Sequence, residues 1–502
     1  MSKTKKVMYN TLTAALNMVV YQVIALVVSV KVLEVYGPDF HGLNSILSNV
    51  MTWVLLLEGG LTTATTVALY RPFVQKNYEV CNHVLSASRI QFGKIGLSVF
   101  CVGTVVAFFY PLFITSDMPY WDICLMFLIM SFSTSFGVAY TRKYAVMYSV
   151  SQHEYINQLI TIGLSILSSV IVYVLAVTHA HYLWVRTVYM LATVATGVII
   201  AIIIRRKYHF LNYREKPSFE TIKGTKDVVV QKLTSVIRTS APAIFISVFD
   251  TTVAASIYAV NMYGYNFVRS IMQNVLSATQ SGIGQVIAER NREGVYQVFR
   301  SFEYALVTIL MWLMTSAIAV TIPFVYIYTH GVSGVNYISY FLLFALPLNY
   351  AIQVVHLPSG VIINMYGRFK EDKQFQIMTM IVMLVAMGAF GVFLGLNGIV
   401  LGSLIGSLTL AVQEICFARK ELLKTGYKEL VRPILIDLMV MIPLLFVEFR
   451  VIPSHLSIFN FFVVGLSVVL IHGLVLTIVN MVFERERLKG LIQRFYGIIK
   501  KK

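Results

Sequence analysis

Three things are scarce in this 502-residue chain: acidic residues, cysteines and polar connections. Asp and Glu number 23 against 40 Lys and Arg, and charged residues together make up only 13% of the sequence. The four cysteines, Cys81, Cys101, Cys124 and Cys416, show no paired metal-ligand spacing. We therefore expect neither a disulfide framework nor a metal site. No Walker-type phosphate loop occurs, so transport or catalysis driven by ATP within the chain is not expected.

What fills the chain instead is apolar: 57% hydrophobic residues and a mean hydropathy of +0.75. A helix needs about 20 residues to cross a hydrocarbon core of roughly 30 Å. By that rule the sequence predicts spans at 11–33, 41–67, 89–113, 119–140, 154–177, 182–204, 227–249, 251–280, 302–328, 337–365, 375–394, 397–417, 433–451 and 457–483. The fold class is an all-α polytopic membrane protein with about fourteen transmembrane helices. The basic start and first apolar run are not expected to be a signal peptide, because the run is long and no small-residue cleavage site precedes Lys31 and Glu34.

Lys and Arg are unevenly placed. All but Lys31, Arg186, Arg238, Arg269 and Arg450 fall at the start, at the tail, or in or within about six residues of the even-numbered connections. By the positive-inside rule both termini are expected in the cytoplasm. The net charge of +17 thus reads as an orientation signal, with no nucleic-acid partner expected. Odd-numbered connections are a few residues long and leave no room outside for a catalytic domain.

The chain also repeats itself. Residues 35–47 (VYGPDFHGLNSIL) and 56–66 (LLEGGLTTATT) correspond in position to 248–260 (VFDTTVAASIYAV) and 277–284 (SATQSGIG), at an offset of roughly 215 to 220. We expect two pseudo-symmetric six-helix bundles, 1–206 and 227–420, joined by a cytoplasmic linker 207–226. Helices thirteen and fourteen (421–483) and an amphipathic basic tail (484–502) follow. Same-orientation repeats of this kind are used for alternating access around a central site. The segment Tyr78–Ser88 is read as a second, weaker amphipathic helix on the membrane surface.

Tyr36-Gly37 with Gly42-Leu43-Asn44-Ser45, followed by Leu56-Leu57-Glu58-Gly59-Gly60-Leu61, resembles the N-terminal signature of bacterial polysaccharide-repeat flippases. These belong to the multidrug/oligosaccharidyl-lipid/polysaccharide exporter superfamily. The resemblance implies a transporter, not an enzyme, that carries oligosaccharide repeat units on polyprenyl pyrophosphate across the cytoplasmic membrane. The product would be capsule, exopolysaccharide or a teichoic-type polymer. Polysaccharide polymerase and glycosyltransferases are the implied partners, with the chain itself a monomer in the lipid bilayer. Fourteen spans also resemble the peptidoglycan-precursor branch, in which the last two helices line a groove for the lipid tail. An ion-coupled drug or cation antiporter of the same superfamily is the remaining alternative. Its cation-extruding relatives typically carry an acid in the first span, and residues 11–30 contain none.

Such a substrate needs a cationic, wet cavity. A charge inside the bilayer costs about 2.5 to 3.5 kcal/mol on insertion scales, so a buried ionisable residue needs a partner or a purpose. Arg269 and Arg238, then Arg186, are the candidate pyrophosphate ligands, because guanidinium presents paired donors and stays charged. Helix pairing for Arg238 and snorkelling to the interface for Arg186 are the competing structural roles. Glu58 is the candidate counter-ion or coupling site for H+ or Na+, its competing role being a packing hydrogen bond; no other cofactor is expected. Gly59, Gly60, Pro242, Pro347 and Pro358 are candidate hinges. His356 and His472 are read as packed, hydrogen-bonded residues, and Asp437 and Glu448 as satisfied within the thirteenth span.

Overall fold

The computed structural model describes residues 3–220, 226–288 and 292–490, and among these it contains helices and no strand. The helices are α1 (Lys3–Val54), α2 (Leu61–Val74), α3 (Tyr78–Phe109), α4 (Tyr120–Phe136), α5 (Arg142–Val150), α6 (Glu154–Val177) and α7 (Leu183–Lys207). Then come α8 (Lys226–Phe249), α9 (Thr252–Ala288), α10 (Arg292–Tyr328), α11 (Tyr340–Val355), α12 (Leu357–Met365), α13 (Phe369–Phe417), α14 (Lys428–Val451) and α15 (Ile458–Phe483). Both α1 and α13 hold two spans each. They turn at Gly37 (φ 82°, ψ 174°) and Gly395 (φ 52°, ψ −133°), where a left-handed backbone breaks the helix without a side-chain penalty. Where helices begin, Asn77, Ser339 and Ser457 accept a hydrogen bond from a backbone amide three residues on, at 3.2 to 3.3 Å, and so satisfy one orphaned N–H each.

Counted as membrane crossings, these helices give the fourteen-span, all-α architecture expected from hydropathy. Large apolar side chains point outward, among them Phe393 at 84% and Phe459 at 75% exposed. A water-facing surface would not tolerate them at this density, but lipid does. The chain is a multi-pass membrane protein.

Several local expectations change. Tyr78–Ser88 is no separate surface helix: it is the first third of α3, with Cys81, Asn82 and the run from Val84 to Ser88 buried. Arg142 and Lys143 do not lie in a connection. A π-helical turn, Gly137–Thr141, carries α4 into α5 without a break, so these cations sit on a continuous helix. The helix α11 runs on through Pro347, which does not interrupt it; the tenth span breaks instead at His356, with Pro358 in the first turn of α12. Pro242 likewise lies inside α8. Glu289-Arg290 and residues 491–502, which include most of the expected basic tail, lie outside the described residues.

By compactness the chain forms two units, Met1–Ser256 and Ile257–Lys502. The division falls inside α9, not at the basic segment 207–226, because α8 packs against α1. In the first unit, Asp39 accepts a hydrogen bond from the Thr252 hydroxyl, and His41 Nδ1 and Ser256 Oγ share one at 2.8 Å. Gly42 sits between them, where a Cβ would collide with the Thr252 carbonyl oxygen. The repeated segments around residues 35–47 and 248–260 therefore touch through a glycine.

In the second unit, Gly398, Gly402 and Gly406 recur every four residues along α13. They let its second half approach Phe390, Met387 and Met383 of the first half at backbone range. That is the small-residue packing by which helices associate where lipid removes the hydrophobic drive. Polar side chains are paired across helices. His472 Nε2 hydrogen-bonds both Glu448 oxygens at 2.9 and 3.0 Å, and its Nδ1 reaches Thr315 Oγ1 at 3.0 Å. Asn480 donates to Asp437 at 2.9 Å. Asp437 Oδ1 and the Glu448 carboxylate thus find their partners on α15 and not within their own helix.

Candidate functional site

The first unit encloses a cavity of about 670 Å³. Its walls come from α1, the end of α4, the π-helical turn, α6 and α7. On α6 the lining residues Thr161, Ser165 and Ser168 follow a spacing of four and then three. On α7, Arg186, Tyr189, Thr193 and Thr196 follow three, four and three. Each set is one face of a helix, a polar stripe in an apolar span. Sequence reading missed this stripe, although its periodicity is visible in the letters.

The hydroxyls have a fixed chemical sense. Thr161, Thr193 and Thr196 donate to the carbonyl four residues back at 2.9, 3.0 and 2.8 Å, and Ser168 donates to Ser165 at 3.1 Å. A hydroxyl has one hydrogen, so each of these spends it on its own helix and presents lone pairs to the cavity. The wall therefore offers many acceptors, the complement of a ligand rich in O–H groups.

The strong donors are two guanidiniums. Arg186 is buried on α7 and donates from Nη2 to the Asn44 carbonyl at 2.8 Å, which holds its fork at the cavity wall. Arg142 leaves the π-helical turn, lines the same cavity and forms an ion pair with Glu58. Glu58 is buried at the end of a 3₁₀ turn, Leu55–Glu58, and also accepts hydrogen bonds from the backbone N–H of Thr62, at 3.2 Å, and from its hydroxyl. The bend behind it is made by Gly59 and Gly60, both left-handed at φ 55° and 81°. The glycine pair thus places the carboxylate where it meets Arg142. Arg142 was not among the expected site residues, because its charge made it read as a connection.

The other expected ligands fall elsewhere. Arg238 lies on α8, half-buried and outside the lining of this cavity; Pro242, four residues on, cannot donate to its carbonyl. Arg269 belongs to the second unit, on α9, close enough to Tyr258 and Tyr350 to act electrostatically on both phenols. Pro347 lines a second cavity and Pro358 does not.

That second cavity, in the second unit, measures about 640 Å³. Met314, Leu348, Ala411, Leu438 and Phe446 are typical of its walls, which α10, α11, α13 and α14 supply. Helix α14, the thirteenth span, contributes a whole face, whereas α15 contributes no lining residue. Among the described residues no group of three or more His, Cys, Asp or Glu is arranged to hold a metal.

Comparison with known proteins is informative at the level of shape. No protein-family model matches the sequence, and neither does any curated protein. Among solved structures, the lipid II flippase MurJ in an inward closed conformation is similar at a TM-score of 0.67 and 13% identity. The match covers 94% of this chain and 99% of that one. An inward-facing multidrug resistance MATE family transporter of the MOP superfamily is similar at 0.56 and 16%, over 80% and 94%. A MOP superfamily transporter from Pyrococcus furiosus, described as having a binding pocket of reversed polarity, follows at 0.51 and 16%, over 83% and 95%. At such identities the likeness is one of fold: this chain has the fold of the MOP-superfamily transporters.

Proposed function

We propose that this protein is a flippase that moves polyprenyl-pyrophosphate-linked oligosaccharide repeat units across the cytoplasmic membrane by alternating access, for cell-surface polysaccharide export. The observation that carries this reading is the cavity of the first unit, where two guanidiniums stand among hydroxyl acceptors. Guanidinium forks match pyrophosphate oxygens, and the hydroxyl lone pairs accept from sugar O–H groups. A cationic drug would meet repulsion there, which disfavours the antiporter. The apolar cavity lined by α14 suits a polyprenyl tail.

In this reading Glu58 is the counter-ion of Arg142. Proton uptake by Glu58 would release Arg142 and raise the cavity's net charge by one, which strengthens anion capture. Moving one charge through the membrane potential supplies about 2.3 kcal/mol per 100 mV, enough to bias the cycle. Na+ beside Glu58 would act in the same sense. Arg269, in the second unit, remains a proposed pyrophosphate contact, as does Arg238. Gly59, Gly60, Pro242 and Pro358 are proposed bending points, with both termini and the basic connections in the cytoplasm.

The likeness to MurJ over nearly the whole chain favours one second reading, a peptidoglycan-precursor flippase. One experiment separates them. Cells depleted of this protein should accumulate lipid-linked repeats of a surface polysaccharide in the inner leaflet; accumulation of lipid-linked peptidoglycan precursor alone selects the second reading. Complementation with Arg269→Ala should fail to restore export, and normal export by that variant removes Arg269 from the site.

A further inference from the structure

A second concentration of positive charge lies in the first unit, in a pocket that shares no lining residue with the cavity just described. Arg89 of α3, Lys143 of α5, Arg205 of α7 and both His209 and Arg214 of the following segment line one pocket of about 480 Å³. No carboxylate is among its lining residues. The acid nearest in sequence, Glu215, accepts from Asn212 Nδ2 at 2.9 Å.

This is a built pocket and not a loose basic surface. Residues 208–214 are pinned to the helices: Asn82 donates to the Phe210 carbonyl at 2.9 Å and accepts from the Asn212 N–H at 3.0 Å. Arg89 donates to the Tyr213 carbonyl at 3.1 Å, and the Tyr213 hydroxyl donates to the Lys143 carbonyl at 3.2 Å. Tyrosine rings hold the cations in place. Lys143 Nζ stands 4.5 Å from the Tyr140 ring centre and 5.1 Å from that of Tyr144. Arg205 lies 5.2 Å from the fully buried Tyr144 ring and donates to its hydroxyl. Burial pushes the Tyr208 and Tyr213 phenols above their ordinary range, so both remain neutral hydroxyls.

Lys143 is close enough to Arg89 and Arg205 to be repelled by both. Helices and segment are thus folded so that like charges converge on one concavity without an acid between them. Three guanidiniums provide paired donors, the geometry suited to phosphate oxygens and better than a point charge. We propose that this pocket binds a phosphate-bearing anion, either the phosphomonoester head of a membrane lipid or a soluble diphosphate. It is a site separate from the Arg142–Arg186 cavity and does not depend on the transport reading.

The test uses the full chain in phosphatidylcholine nanodiscs, with Arg142→Gln and Arg186→Gln as background so that neither guanidinium of the first cavity contributes. Inorganic pyrophosphate is titrated in one arm. In the other, retention of phosphatidic acid over phosphatidylcholine is measured by native mass spectrometry. Saturable binding in either arm is expected, weakened about tenfold or more by Arg89→Gln with Arg214→Gln, since each substitution removes a charge-assisted donor. Binding in the pyrophosphate arm alone identifies a soluble ligand; binding in the lipid arm alone identifies a headgroup. Arg205→Lys, which keeps the charge and loses the fork, should weaken binding less than the double variant. No binding in either arm, or equal binding by the double variant, overturns the proposal.

Discussion

The cavities of the two units are nearly equal in volume, about 670 and 640 Å³, and opposite in chemistry. The first is walled by hydroxyls on α1, α4, the π-helical turn, α6 and α7 and by two arginines, Arg142 of α5 and Arg186 of α7; the second by Leu, Met, Val and Phe side chains on α10, α11, α13 and α14. Neither volume nor helical wall distinguishes them. The difference is which face of each helix carries polar side chains, and what those side chains do with their hydrogens. A ligand with a charged, hydroxyl-rich end and a long apolar end needs both kinds of cavity, and a purely polar or purely greasy cargo needs one.

Four substitutions at three positions strain this contrast, the largest effect first. Arg186→Ala removes a buried fork from the polar cavity and should lower export roughly a hundredfold, in line with the loss of a buried charged contact. Surface polysaccharide in complemented cells is the readout. Arg186→Lys should recover only part, because the ammonium lacks the paired geometry. Ala411→Trp fills the apolar cavity. Export of the tailed substrate should fall about tenfold while soluble pyrophosphate still binds, since overpacking costs on the order of 1 to 3 kcal/mol and touches only the tail side. An equal loss of pyrophosphate binding would mean that the two cavities are not chemically independent. Glu58→Gln, which mimics the protonated acid and frees Arg142, should tighten anion binding severalfold and flatten its dependence on pH or Na+. Unchanged affinity and pH or Na+ response would leave Glu58 a packing residue held by Thr62.

Much of this was legible in advance where a single physical variable decides. The sixth helix runs Glu154–Val177, as its apolar run requires, and the turns at Gly37 and Gly395 fall between predicted spans. Charge misled where hydropathy was asked to mark helix ends. Arg142 read as a connection, yet residues 138–150 contain neither Gly nor Pro, and helix formation does not stop because a residue is costly in lipid. Tyr78–Ser88 misled in the opposite way: an amphipathic pattern describes a helix on lipid and a helix against protein equally well. The polar stripes of α6 and α7 were readable by period and were overlooked in favour of lone charges.

Partners were another matter. His356 meets Glu414 at 2.8 Å, 58 positions away, and Tyr304 meets Asn480 at 2.7 Å across 176. Nothing in either local pattern announces the other. By itself the sequence determined the helical class and the number of crossings. Each of those follows from the match of one-dimensional hydropathy and charge to a slab of fixed thickness. Only the tertiary structure decided that Arg186 and Arg142 share one cavity, that Glu58 neutralises the second of them, and that four cations and His209 converge on another pocket. The physical reason is that close contact between helices depends on packing, small residues and bends such as Gly59-Gly60, which bring together side chains that the linear order keeps far apart.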